Sequence, residues 1–273
     1  DGAVIGHEKY HKAAVAWADA WAEDNESKPA PSVVQVRDPE PVSHAINNMK
    51  SLINKAKVSL ETQFKRPVVL KSYLTSDSLF REDLSPTYKI SRVNQRRPVH
   101  LAACKQWFIE TMDAEVEYGY EADDLIAMEA VRLVDQGDDT VIMSLDKDLK
   151  QIASFHYDFT KDDLSVVTPD TGRRNFWLQA LQGDATDDLP GIKGVGTKIA
   201  ARTLEEMPKA STDWDYYKKV LAAYVERVPK EKDERNKEHL TRCITMLGDA
   251  CRLLWLSREM GDLWDVPKKG ENL

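Results

Sequence analysis

Apolar positions recur at steps of three and four through residues 8–24 and again through about 43–63, so the chain opens on two amphipathic helices. The stretch between them, Glu23 to Pro41, is polar and carries prolines, and it reads as a loop. The period then changes. Val68-Val69-Leu70 and Tyr73-Leu74, bounded by Pro67, predict a buried strand, and Thr140 to Ser144 (TVIMS) predicts another. Helical spacing fills the interval between them. One helix lies near 99–113, opened by Pro98, and another spans Glu121 to Val134, with acids in its first turn where the helix dipole favours negative charge. A polar, hairpin-like stretch follows near 154–168, and the rest is helical apart from breaks at Asp184 to Gly196 and near Pro229. The segment 229–238 (PKEKDERNKE) reads as a solvated loop or helix face. Strands separated by helices predict an α/β sheet fold.

Composition bounds this picture without changing it. With 273 residues, 42% of them apolar, the chain can build one large domain or two small ones. Charged residues make up 31%, and no stretch approaches the roughly 18 consecutive apolar residues of a membrane span. A soluble protein with no membrane partner is expected. Cys104, Cys243 and Cys251 are odd in number and lack CxxC spacing, which disfavours a disulfide framework or zinc knuckle and fits a reducing cytoplasm. The chain starts at Asp1-Gly2 with no initiator Met and no signal peptide, so residues upstream are to be expected.

The formal charge of −8 argues against nucleic acid as a partner, because non-specific affinity for it comes from Lys and Arg neutralising phosphates. The distribution of charge reverses that argument. Basic residues are dense at Lys89, Arg92, Arg96 and Arg97, and many acids fall in tight groups. Acids that hold metal ions would leave the outer surface far less negative than the total.

Three such groups stand out. Glu121, Asp123 and Asp124 crowd the start of a predicted helix in GYEADDLIA (119–127). Helix capping accounts for one or two acids there. Like charges about 5 Å apart repel by roughly 3 kcal/mol at an effective dielectric near 20, so three want a cation. Asp146 and Asp148 follow the TVIMS strand, where open α/β sheets present functional residues, although an ordinary polar turn has the same composition. Asp184 and Asp187, in GDATDD, share a face if the turn is helical. Oxygen-only ligands from three places describe a hard-cation site, for Mg²⁺ or Mn²⁺.

Next in the chain comes GIKGVGTKIA (191–200). Glycines at 191, 194 and 196 permit a tight turn whose backbone N–H groups can approach a phosphate, with a helix starting at about 197. Walker spacing is absent, which disfavours ATP and favours a helix-hairpin-helix grip on a DNA backbone. A competing signal is His7-Glu8-Lys9-Tyr10-His11, a literal H-E-x-x-H of the zinc-peptidase type with no evident third ligand. A catalytically silent DNA-binding protein is the other alternative.

Taken together, GYEADDLIA, SLDKDLKQI (144–152), LQGDATDDLPGIKGVGTKIA (181–200) and the segment Phe80 to Arg92 with its Tyr88-Lys89-x-x-Arg92 resemble the flap endonuclease superfamily, and within it the bacteriophage-type 5′-3′ exonucleases. The resemblance spans residues 68–206. It implies a central mixed, largely parallel sheet flanked by helices: an α/β nuclease domain over 1–170 with a short helical arch near 88–113, and a helical DNA-binding region over 171–273 containing a helix-three-turn-helix element. It implies hydrolysis of DNA phosphodiesters by two Mg²⁺ (or Mn²⁺) ions. The metal-site acids would be Asp1, Asp77, Glu121, Asp123, Asp124, Asp146, Asp148, Asp184 and Asp187. Lys89 and Arg92 would act at the scissile phosphate. Arg81, Tyr88, Arg96, Arg97, Gly191, Lys193, Gly194, Gly196 and Lys198 would join them in DNA binding, with K⁺ at the 191–198 turn. The expected partner is duplex DNA with a 5′ end, nick or flap, or an RNA–DNA hybrid, and the expected protein is a monomer in the cytoplasm, that of the host if phage-encoded.

Overall fold

Helix α1 (Val42–Phe64) begins the part of the chain that the computed structural model describes, residues 40–93, 95 and 97–272. The expected helix at 8–24, Asp1, the His7-to-His11 motif and Arg96 lie outside the described residues. Periodicity placed α1 to within a residue at each end. It buries Ala45, Ala56 and Leu60, and stops where Lys65 turns left-handed (φ 54°). Helix α2 (Phe80–Leu84) is a single short turn, and α3 (Leu101–Met112) is the helix that Pro98 predicts. Lys50 on α1 sits 5.5 Å from the centroid of the Trp107 ring on α3.

The described residues divide into two compact units, one holding the chain up to Leu74 with Gln95–Glu115, the other Thr75–Asn94 with Val116–Leu273. In the first, the strand expected over 68–74 does not form. Val69 is 86% exposed, and only Ser72 to Leu74 pair, with both backbone groups of Glu115. An extended apolar run becomes a strand only when another backbone lies along it, and a single bridge is what these residues find.

In the second unit, α4 (Ala122–Asp135) leads into β1 (Val141–Met143), β2 (Ser154–Asp158) and β3 (Asp163–Val167). β1 pairs parallel with β2, Val141 opposite Phe155, and β2 pairs antiparallel with β3, Ser154 opposite Val167. The fold is α/β with a mixed sheet, as expected; the described sheet is small, with one parallel junction and one antiparallel hairpin. Helix α5 (Pro169–Gln182) has Thr168 as its N-cap and Pro169 in its first turn. It is followed by the two-residue strands β4 (Gly183–Asp184) and β5 (Leu189–Pro190), then α6 (Thr197–Thr203), α7 (Asp213–Arg227) and α8 (Asn236–Leu254).

Two cores hold this unit. The larger gathers Phe176, Trp177 and Leu181 of α5 with Val220 and Tyr224 of α7 and Leu247 and Cys251 of α8. A buried aromatic ring removes about 150–250 Å² from water, on the order of 4–6 kcal/mol, so α5 is a firm platform. The smaller core packs Ala127 and Ala130 of α4 against Ile142, Leu149 and Ile152, and so fixes the helix and the turn that carry two of the acidic motifs.

Candidate metal centre and its basic rim

Glu121 is the N-cap of α4 and forms a capping box with Asp124, whose Oδ2 accepts from the Glu121 backbone N–H at 3.3 Å. That cap is tied to a buried cation. Arg81, 1% exposed, donates to Asp124 through Nη1 at 2.6 Å and Nη2 at 2.8 Å, and to the carbonyls of Leu253 and Trp255 at 2.9 and 2.5 Å. Burial opposes its charge, but the Asp124 carboxylate more than offsets this and holds the guanidinium firmly protonated. The Asp124 Oδ1 also accepts from the Ser257 backbone at 3.1 Å. Two sequence assignments are corrected here. Arg81 has no surface to offer DNA, because it neutralises Asp124 and closes the end of α8. Tyr88 is buried too, its hydroxyl donating to Glu121 at 2.7 Å, and burial followed by the Glu121 charge pushes its phenol well above the usual range. Both oxygens of Asp124 are occupied by protein donors, which makes it an anchor of the site.

Lys89 and Arg92 form the rim. Lys89 is left-handed (φ 53°), its ammonium pairs with Glu121 and lies 3.5 Å from Asp187, and its backbone N–H donates to the Asp187 carbonyl at 3.1 Å. Arg92 pairs with Asp187 at 2.5 Å and donates to the Thr186 carbonyl at 3.1 Å, and the Ser91 backbone donates to Asp188 at 2.8 Å. The basic turn is thereby docked on the GDATDD loop. Arg97 is exposed.

On the other side, the turn after β1 holds Asp146 and Asp148 in sequence: Asp146 N–H donates to Ser144 Oγ at 3.0 Å, and Asp148 N–H to Asp146 Oδ1 at 2.9 Å. The Lys147 ammonium pairs with Asp184 at 2.5 Å and lies 3.7 Å from Asp148. Asp184 is thus paired on the Lys147 side and Asp187 on the Lys89 side, while the Asp184 charge still raises Asp187.

The charges are poorly balanced. Asp123 has no hydrogen bond or ion pair among the described residues, and burial, then Asp146 and Glu121, push its pKa up to about 7. Burial and then Asp146 push Asp148 up to about 6. Burial raises Asp187 as well, whereas Asp184 is lowered: burial opposes this, but Lys147 and the Thr186 N–H prevail. Among the described residues no three such side chains are gathered tightly enough to grip an ion as they stand. Lysine ammoniums stand beside the acids instead. An oxygen-only donor set whose members raise one another's pKa fits a hard divalent cation. Asp77 is exposed in the bend before α2 and makes no polar contact among the described residues. Gln179 and Gln151, which bear on Asp148, and Lys147 went unread in the sequence, although the Lys within Asp-Lys-Asp was a usable signal.

The glycine turn is built for close approach. A Cβ on Gly191 would lie 2.1 Å from the Gln182 carbonyl carbon, one on Gly183 would lie 2.2 Å from the Gly191 nitrogen, and Gly194 is left-handed at φ 80°. Ile192 and Val195 are buried anchors that leave Lys193, Gly194, Gly196 and Lys198 exposed. Gly196 caps α6 at the residue expected. Residues 189–196, with Gln182, Ala185 and Asp188, line an open groove.

Residues 35–176, just over half the chain, match the family described as the 5′-3′ exonuclease, N-terminal resolvase-like domain. The chain is 36% identical over 151 residues to a DNA polymerase I of Rhizobium leguminosarum, covering 48% of this chain and 14% of that one. It is 28% identical over 212 residues to the thermostable DNA polymerase I of Thermus thermophilus, covering 74% of this chain and 24% of that one. It thus spans about a quarter or less of these relatives. Among solved structures, the bacteriophage T5 5′-exonuclease with bound zinc superposes with a TM-score of 0.51 at 17% identity, covering 88% of this chain and 86% of that one. The T5 flap endonuclease in a pseudo-enzyme-product complex with DNA and metal ions gives 0.51 at 18%, covering 78% and 80%. Those likenesses establish a shared fold, and the family match settles membership: this chain belongs to the 5′-3′ exonuclease family, whose N-terminal resolvase-like domain it carries.

Proposed function

We propose that this protein is a divalent-metal-dependent 5′-3′ exonuclease or flap endonuclease that hydrolyses DNA phosphodiesters. The observation that carries the reading is the carboxylate cluster in which half-buried Asp123 and Asp148 are both pushed up by the charge of exposed Asp146, without enough protein cations to match them. Asp123, Asp146, Asp148 and Asp184 would hold Mg²⁺ or Mn²⁺, two ions in all, with Glu121 and Asp187 on the Lys89 side; Asp1 and Asp77 remain candidates on the resemblance. Bound there, the ions would supply the charge that polarises water and offsets the negative charge building on the phosphoryl oxygens. The chain's own part is to orient and neutralise. Lys89 and Arg92 border Asp187, and a phosphate reaching them would exchange one anion for another at the same donors. On the resemblance, Arg96 and Arg97 are further candidates for DNA contact, in the expected arch near 88–113.

In this reading residues 1–170 carry most of the chemistry and 171–273 hold the DNA, through Lys193, Lys198 and the backbone of the 191–196 turn, with K⁺ as a candidate ion there. The substrate would be duplex DNA with a 5′ end, nick or flap, or an RNA–DNA hybrid. The protein would act as a monomer in the cytoplasm; no described helix is long and apolar enough to cross a membrane.

The deciding experiment incubates a 5′-labelled duplex and a flap substrate with the protein in Mg²⁺, in EDTA, and as the Asp146→Ala variant. Cleavage is expected only by the wild type in Mg²⁺. No cleavage at all, or cleavage that survives EDTA, would end the proposal. DNA binding is tested separately by Lys198→Ala. It is expected to weaken affinity for all sequences alike and to reduce the slope of log affinity against log salt by about one. An unchanged slope removes Lys198 from the interface.

A further inference from the structure

Asp148 does not hang free at the end of its turn. Its Oδ1 accepts a hydrogen bond from Nε2 of Gln179. The Oε1 of that amide accepts from Nε2 of Gln151 at 2.8 Å, and the same nitrogen donates to the Leu254 carbonyl at 2.9 Å. A side-chain amide can be turned over, exchanging donor for acceptor with little change of shape. In this chain the polarity is fixed from one end. A backbone carbonyl only accepts, so Gln151 must present its NH₂ to Leu254. The second proton of that NH₂ goes to the oxygen of Gln179, which leaves the NH₂ of Gln179 facing Asp148. Reversal would set oxygen against oxygen at both ends. Gln151, only 4% exposed, keeps this orientation although its own Oε1 is buried without a partner.

The helix bearing Gln179 is itself held to the turn. Gly172, Asn175 and Gln179 follow at spacings of three and four and so share one face of α5. A Cβ at Gly172 would lie 2.3 Å from the Gln151 carbonyl oxygen, so the helix backbone touches the 148–151 turn directly, and Asn175 donates to the Lys150 carbonyl at 2.9 Å. Gln179 meets the same turn at its acid. One oxygen of Asp148 is thereby fixed, and its Oδ2 is left without a protein donor among the described residues.

The geometry points to Gln179 as a positioning residue of the metal centre, one that aims the Asp148 carboxylate, with Gln151 and the Leu254 carbonyl setting the direction of the relay. This inference rests on the proposed role of Asp148 in holding a divalent ion. Partners of this kind typically change metal affinity or activity 10–100-fold when removed.

The test uses the full chain and Mn²⁺ calorimetry, with Asp148→Asn as the reference. Gln179→Met and Gln179→Leu are expected to lose about tenfold or more in Mn²⁺ affinity, to keep the wild-type melting temperature in EDTA, and to lower kcat with KM for DNA unchanged. Gln151→Met is expected to lose less, and the Gln151→Met/Gln179→Met double variant to be no worse than Gln179→Met alone, because both act through one hydrogen bond. Wild-type affinity in both Gln179 variants, or losses that add in full in the double variant, overturns the assignment. If Asp148→Asn also binds Mn²⁺ like the wild type, the metal role of Asp148 fails and the positioning role falls with it. If Asp148→Asn loses affinity while the Gln179 variants keep it, the positioning role alone fails.

Discussion

Asp123→Asn is expected to melt at a higher temperature than the wild type in EDTA, and to cleave DNA about a thousandfold or more slowly in Mg²⁺. The two effects have one cause. The Asp123 carboxylate is half-buried, is pushed up by burial and then by the charges of Asp146 and Glu121 against the opposing pull of Lys89, and has no hydrogen-bond partner among the described residues. Its charge opposes folding in the metal-free protein, and an amide of the same shape removes that repulsion. The same charge is what a divalent cation would bind, so relief of strain in EDTA and loss of function in Mg²⁺ go together. Thermal melts with and without Mg²⁺ separate the outcomes: the wild type should gain stability from the ion and the variant should gain little. An Asn variant that melts lower in EDTA, or that is stabilised by Mg²⁺ as strongly as the wild type, would show that Asp123 is an ordinary satisfied acid.

What the sequence made legible is what short range decides. The three- and four-residue apolar spacing gave α1, the acids after Gly119 gave the capped start of α4, and Gly191, Gly194 and Gly196 gave a turn followed by a helix at Thr197. Asp146 and Asp148 likewise follow a strand that β-branched residues announce. Long-range pairing was not legible. Val68 to Leu74 has strand composition, but whether another backbone runs beside it is decided elsewhere in the chain. Arg81 reads as one of a run of surface charges in Phe80-Arg81-Glu82-Asp83, yet its partners are Asp124 and the carbonyls of Leu253 and Trp255. Nothing within a window around Arg81 encodes that it points inward. The amides of Gln151 and Gln179 are hidden for the same reason: glutamine on a helix is ordinary, and only the fold sets one against Asp148 and the other against Leu254.

Arg81→Met should then be the most destabilising surface-looking substitution in the protein, by about 3–5 kcal/mol, the usual consequence of leaving a buried charge without its partner. Asp124 is fully buried, and without Arg81 it retains only its hydrogen bonds from the Ser257 and Glu121 backbones. Replacing both members, as Arg81→Met with Asp124→Leu, should recover part of the loss, because the uncompensated carboxylate is gone. Recovery should be incomplete. The Leu253 and Trp255 carbonyls lose their donor in either protein, at about 1–3 kcal/mol for each buried acceptor left unpaired. Urea unfolding of the wild type, the single and the double variant measures all three terms. A single variant within about 1 kcal/mol of the wild type would mean that water reaches Asp124, because surface ion pairs of that strength are the norm. If the double variant were less stable than the single, Arg81 would matter chiefly through the two carbonyls at the end of α8, and Asp124 would be the lesser part of its environment. The expected order places the pair at the junction of stability and chemistry: Arg81 also reaches Glu121 at 3.2 Å, so the residue that anchors α4 sets the charge beside the metal centre as well.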